Sequence, residues 1–318
     1  MTPGAAPRDS RRPVVTPGAG RPAGDGTGPA AAGRWELLRA LGALSAAAPA
    51  AAGALFGALG LQPWDGAEHT EVFVLELPPY ASIHLGPEGK LGGDAADRVA
   101  GVWRTLGLDP PPDPDHLHAL LGLYAELGEA AGSCRTDTAR RRLDHTRTAV
   151  LWEHLWPWLP GYLDAVAVHH PAADPWARLL GQALEREAAA SPGARALALA
   201  LRAAPDPIGP DDSPDQLLDA ATAPVRTGFI LTAADLSRAA GASGVGLRRG
   251  ERRFALKAML EQNTAATLGW LAAHAAGWAR RHRQHLPVAF DPAPWWAGRA
   301  AHSAAVLTQL AHRASRAA

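Results

Sequence analysis

Apolar residues return every three to four positions along most of this chain, the spacing of a helical face and not of an alternating strand. The densest stripe is Leu151, Leu155, Leu159, Leu163 and Val166, and Pro157 and Pro160 fall inside it. A proline within a helix removes a hydrogen bond and clashes with the carbonyl four residues back, but it is tolerated in a first turn. The stripe therefore divides into one helix over about 139–155 and a second that starts near Pro157, with Trp156 and Trp158 at the joint.

The same reading predicts helices on both sides. Asp94 is expected to cap one that carries Val99, Val102, Trp103 and Leu106, and Asp115 another that turns Leu117, Leu120, Leu121, Tyr124 and Leu127 inward. Asp174 or Pro175 opens a helix with Trp176, Leu179, Leu180 and Leu184, and a further one is expected over 194–201. Thr232 with Asp235 reads as a start with Gly241 as its stop, 252–274 as one long helix, and Trp295 and Trp296 as the lead into a final Ala-rich helix. Residues 70–77 alternate in part, but Pro78-Pro79 closes them and they read as a helix end. A loop punctuated by Gly and Pro then runs from Tyr80 to Gly93, and Pro110 to Pro114 makes a rigid turn. Residues 40–60 are uncharged, yet mostly Ala and Gly with Pro49 among them, which predicts two packed helices and no membrane span.

Composition agrees with an all-α fold: 318 residues, 47% of them hydrophobic, are dominated by good helix formers with prolines between them. Four regions are expected. Residues 1–33 lack the large apolar side chains needed to offset ordering entropy, 34–204 form a helical domain, 205–223 a Pro/Asp-rich linker, and 224–318 a helical extension. One cysteine, Cys134, excludes an internal disulfide. The formal net charge of zero hides an asymmetry, with twelve acidic against three basic residues over 60–133 and thirteen basic against four acidic over 224–318. Two such surfaces attract one another, and the acidic one suits a cationic partner.

Catalytic motifs are missing. HExxH, G-x-S-x-G and Walker sequences do not occur, and Gly244-Val-Gly246 has neither the preceding strand nor the final glycine of a dinucleotide loop. His145, His154, His169 and His170, with Asp144, Glu153 and Asp174, offer metal-binding atoms, but no two of these histidines stand one helical turn apart. Neither a catalytic site nor a metal or cofactor is expected.

Two stretches carry a family resemblance. Trp152-Glu153-His154-Leu155-Trp156-Pro157-Trp158-Leu159-Pro160 resembles the helix junction of the TorD/DmsD/NarJ chaperones of molybdoenzyme maturation, and Glu76 to Gly93, around Tyr80, resembles their tyrosine-containing segment. One departure is that the family often has a Pro-x-Asp-His-like element, whereas here Asp144-His145 has Arg141 three residues ahead of Asp144 and lies close before the Trp-Glu-His run. The resemblance implies a TorD-like helical bundle over roughly 35–204. It also implies a non-enzymatic cytoplasmic chaperone, monomeric or homodimeric, whose partner is a molybdoenzyme catalytic subunit or its twin-arginine signal peptide. Carboxylates beside aromatic surface can accept an apolar segment and an arginine pair. On that ground Glu76, Tyr80, Asp144, His145, Trp152, Glu153, Trp156 and Trp158 are the candidate client-binding residues. The competing class is a helix-turn-helix nucleic-acid binder built from 232–241 and the following helix, with Arg248, Arg249, Arg252, Arg253 and Lys257 facing phosphates. Its connection is long and its second helix apolar, so the extension is expected instead to dock on the acidic bundle.

Overall fold

A computed structural model describes residues 29–47, 49–191, 196–248, 250–284 and 292–317. Among these the chain forms helices and turns and no strand, the all-α class expected. The first half contains α1 (Pro29–Ala46), α2 (Pro49–Leu59), α3 (Gly66–Thr70), α4 (Ala81–Leu85), α5 (Gly93–Thr105), α6 (Leu117–Gly132), α7 (Asp137–Ala149), α8 (Leu159–His169) and α9 (Asp174–Ala190). Two π-helical stretches, Glu71–Glu76 and Val150–Leu155, continue α3 and α7. The second half contains α10 (Leu199–Arg202), α11 (Pro214–Ala221), α12 (Pro224–Thr227), α13 (Ala233–Ser243), α14 (Arg252–Gln262), α15 (Thr264–Gln284) and α16 (Ala293–Ala317).

The long apolar face of α6 makes it the centre of the bundle. Leu117, Leu120, Leu121, Tyr124 and Leu127 are buried there, and α1 supplies Trp35, Leu38, Leu41 and Leu44 at every third residue. Gly128 allows the two helices to close, because a Cβ at that position would lie 2.6 Å from Cε2 of Trp35. Helix α9 joins through Trp176, whose indole donates to the Leu41 carbonyl at 2.9 Å. Buried Glu187 accepts from the Tyr124 hydroxyl at 2.8 Å and from Arg147 at 3.1 Å, tying α9 to α6 and α7. A fully buried carboxylate is sustained only by such pairing.

The proline-broken stripe folds as its residues demand. Helix α7 loosens into a π-turn, closed by a bond from Trp156 N to Leu151 O at 2.7 Å, and Pro160 sits in the first turn of α8. Trp152, Trp156 and Trp158 all turn into the core. Several boundaries differ from expectation. The caps expected of Asp94 and Asp115 fall to Gly92 and to His116, whose Nδ1 accepts from His118 N at 3.1 Å. Asp115 is drawn away because its carboxylate accepts from Ser82 N at 2.8 Å. Asn263, in an extended conformation with φ −154°, divides the single helix expected over 252–274 into α14 and α15. Thr232 and Asp235 form the anticipated capping box, but α13 runs past Gly241 to Ser243 before the left-handed Gly244 ends it. Of the helix expected over 194–201, residues 192–195 lie outside the described residues and α10 starts at Leu199. The arm expected over 1–33 lies largely outside them too, and α1 begins at Pro29.

The second half packs directly on the first. Residues 205–223 include α11, with Leu217, Leu218 and Ile208 buried. Carbonyls of Pro205, Ile208 and Pro210 accept from Arg299, His302 and Arg313 of α16, which satisfies a proline-rich strip that has few N–H groups of its own. Trp296 donates to the Pro157 carbonyl at 2.8 Å, Arg281 pairs with Asp164 at 2.9 Å, and Glu76 accepts from Ala234 N at 3.1 Å. Between the halves lies an aromatic seam in which His84 stacks on Trp158 at 5.0 Å while Phe229, Trp278, His282 and Trp296 close the other side. The second half thus docks through hydrogen bonds, the Arg281–Asp164 pair and buried aromatic side chains, and among the described residues no salt bridge joins the acidic stretch 60–133 to the basic stretch 224–318.

Candidate functional site

A groove opens where the C-terminus of α1, the π-turn after α3 and the approach to α6 converge. Asp65 and Glu68 fix the start of α3 with a capping box. The following π-turn buries Val72 and Phe73 and leaves Val74 57% and Leu75 68% exposed. An extra residue in a helical turn rotates the face of those that follow, which brings apolar side chains outward here. Pro78-Pro79 then stops the helix. The strip after it is held against the start of α6 by Leu117 N to Pro79 O at 2.8 Å and Ala81 N to Asp115 O at 3.1 Å. This places the Tyr80 ring edge-on to His116, with centroids 4.7 Å apart.

The resulting cavity holds about 460 Å³ and is lined by His69, Phe73, Val74, Pro78, Tyr80, Leu91, Pro111, Pro112, Asp113 and His116, among others. Leu91 is 60% exposed. Burial lowers the pKa of His69 and takes His116 down to about 4, so both rings are neutral at neutral pH. Burial first, then Asp113 and Asp115, raises the Tyr80 phenol above its ordinary value, so it remains a hydroxyl. Asp113 is the one carboxylate among the lining residues. The surface is largely apolar, with hydrogen-bonding groups that include Ser45, Tyr80 and three histidines, and a single carboxylate.

Of the eight residues expected to bind a client, Tyr80 lines this groove. Glu76 faces the other way, toward Ala234 N and the Arg252 guanidinium. Asp144 stands 3.4 Å from Arg147 on α7, and His145 is exposed on the same helix. Glu153 accepts from Leu199 N at 2.7 Å at the start of α10 and borders a separate cavity of about 380 Å³. Trp152, Trp156 and Trp158 are buried, and the Trp158 indole donates to the His154 carbonyl at 2.8 Å. Burial of these indoles follows from their large apolar area, and Trp156 also reaches the wall of another cavity of about 520 Å³. Sequence reasoning missed His69, Val74, Leu91 and Asp113. The proline run ahead of α6 was the available signal, since it fixes Asp113 and His116 opposite Tyr80.

Elsewhere the arrangement is structural. Among the described residues no group of three or more His, Cys, Asp or Glu is placed to hold a metal, and no helix is long and apolar enough to cross a membrane. In the helix-turn-helix candidate, α14 buries Ala255, Leu256, Ala258 and Met259. Arg252 donates to the Leu231 carbonyl, and Arg253 is paired with Asp215 and Asp219. Arg249 lies outside the described residues.

No curated protein and no solved structure matches the chain. Residues 42–164 match the family model described as nitrate reductase delta subunit. That span includes every residue lining the groove, and over it the chain is similar to the NarJ/TorD-type family.

Proposed function

We propose that this protein is a non-enzymatic chaperone that holds the catalytic subunit of a molybdopterin or iron–sulfur oxidoreductase, or its signal peptide, while the cofactor is loaded. The observation that carries the reading is the juxtaposition of exposed Val74 and Leu91 with Tyr80 and Asp113 in a groove inside the family-matched region. Exposed apolar clusters of this kind mark contact surfaces for other chains, and a lone carboxylate at the edge favours a cationic residue beside the apolar segment. The protein acts on this reading in the cytoplasm, before its client is folded or exported.

Co-expression with a molybdoenzyme catalytic subunit, followed by capture on the tagged chaperone, tests it. Retention of the cofactor-free subunit and release of the loaded one is the expected result. Equal retention of both forms, or of neither at micromolar concentration, rejects it.

A further inference from the structure

We infer that the cavity of about 380 Å³ beside Glu153 binds a monoanionic carboxylate carried on a short apolar body, through Arg98 and Arg202. The site shares no lining residue with the client groove and stands whether or not the chaperone reading does. Four elements meet around it. Helix α4 supplies Leu85 and α5 supplies Val99 as a back wall, the π-turn after α7 brings Glu153 and His154, and α10 brings Leu199 and Arg202. Leu199 is 50% exposed, so the lip of the cavity offers apolar surface to an occupant. The cavity has the size of a small-ligand site.

Charge decides the class of ligand. Arg98 and Arg202 are both exposed, and among the described residues no carboxylate pairs with either. Arg202 spends only its Nε, which donates to the Leu197 carbonyl at 2.9 Å, and its two terminal nitrogens remain for a ligand. Glu153 lies on the same wall, but its carboxylate is held by Leu199 N at 2.7 Å. His154 adds no charge, because burial and then the Arg98 guanidinium lower its pKa to about 4. Two positive groups and one negative group leave a surplus of one positive charge, which a carboxylate balances and a dianionic phosphate exceeds. A guanidinium fork meets a carboxylate through two parallel N–H bonds, and the apolar body gains by covering Leu199.

The test titrates the full chain by isothermal calorimetry with octanoate, octanamide, octyl phosphate and N-acetyl-Val-Leu with a free C-terminus. The two carboxylates are expected to bind, and octanamide to bind about tenfold more weakly because it loses the charge-assisted bonds. Octyl phosphate, largely a dianion at about pH 7.5, is expected to bind the wild type no better than octanoate. Arg98→Gln and Arg202→Gln should each weaken the carboxylates by about tenfold. Arg98 is exposed and ties no other element in place, so Arg98→Gln should melt with the wild type. Glu153→Gln keeps an oxygen for Leu199 N and removes the negative charge, so its preference should turn toward octyl phosphate by about tenfold. A purely structural Glu153 would leave that preference where it was. Tighter binding of the dipeptide than of octanoate identifies a chain end as the source of the carboxylate, and the reverse a free fatty-type acid; both support the site. No heat at millimolar carboxylate, equal affinity for octanoate and octanamide, octanoate binding unchanged in Arg98→Gln, or an unmoved preference in Glu153→Gln overturns the proposal.

Discussion

The Tyr162 hydroxyl donates to the backbone carbonyl of Leu77 at 2.9 Å, across 85 residues of chain. Leu77 immediately precedes Pro78-Pro79, so this one bond ties the tryptophan junction to the strip that carries Tyr80. The two stretches with the family resemblance are thereby one piece of structure.

Tyr162→Phe should lower stability by about 1–3 kcal/mol, because it orphans a buried carbonyl while keeping the ring. Urea unfolding with an unchanged slope and a lower midpoint is the expected result. A midpoint equal to wild type would mean that the bond contributes nothing.

Tyr80→Ala should weaken subunit capture by about tenfold, the loss typical of a contact residue worth more than 1 kcal/mol, with a stability change within about 1 kcal/mol for this half-buried ring. Glu153→Ala should do the reverse. Its carboxylate holds Leu199 N at the start of α10, so about 1 kcal/mol of stability is lost and capture is unchanged. Matched capture and melting measurements on the two variants separate a contact role from a structural one.

Gly89→Ala should destabilise the docking of the two halves. Gly89 has φ +63°, and a Cβ there would lie 2.7 Å from Ala223 Cα and overlap the Thr222 carbonyl. Strain and collision combine at a position where the neighbour is backbone and cannot rotate aside. A loss of about 2 kcal/mol or more is expected, with increased binding of a hydrophobic dye as the aromatic seam loosens.

Acid should unfold the protein earlier than its carboxylates alone require. Burial lowers the pKa of His84 to about 3 and of His282 to about 4, while both titrate near 6.5 when unfolded. The unfolded chain therefore binds more protons below that pH. The stability these rings contribute is complete above about pH 6.5 and is lost progressively as pH falls toward 4. Between pH 7 and 5 the two rings together remove about 4 kcal/mol. A double His84→Phe, His282→Phe variant should flatten the melting midpoint over that interval.

Helices with a strong apolar period were legible in the sequence, because burial of one face decides them. The end of α7 was legible too, since Pro157 and Pro160 leave few alternatives. What periodicity could not reveal was competition for the same group. Asp115 is a good cap by chemistry, but Ser82, 33 residues away, takes its carboxylate and His116 caps instead. Asn263 breaks a helix without proline or glycine, because its side-chain oxygen accepts from Ala266 N at 3.0 Å and caps the start of α15. The tryptophans announced themselves as important, and a residue type cannot say whether its importance lies inside or on the surface. Nor could spacing reveal that Glu76 meets Ala234, 158 residues later.

The aromatic seam also sets a schedule for synthesis. Trp158 and Tyr162 of the junction are covered by side chains that include Trp296, which bonds Pro157 from 139 residues further along. At ordinary rates of translation that interval lasts on the order of ten seconds. During it the family-matched span is complete in length while the apolar side chains of this seam lack that cover. The newborn chain is itself, for that time, a protein in need of a holder.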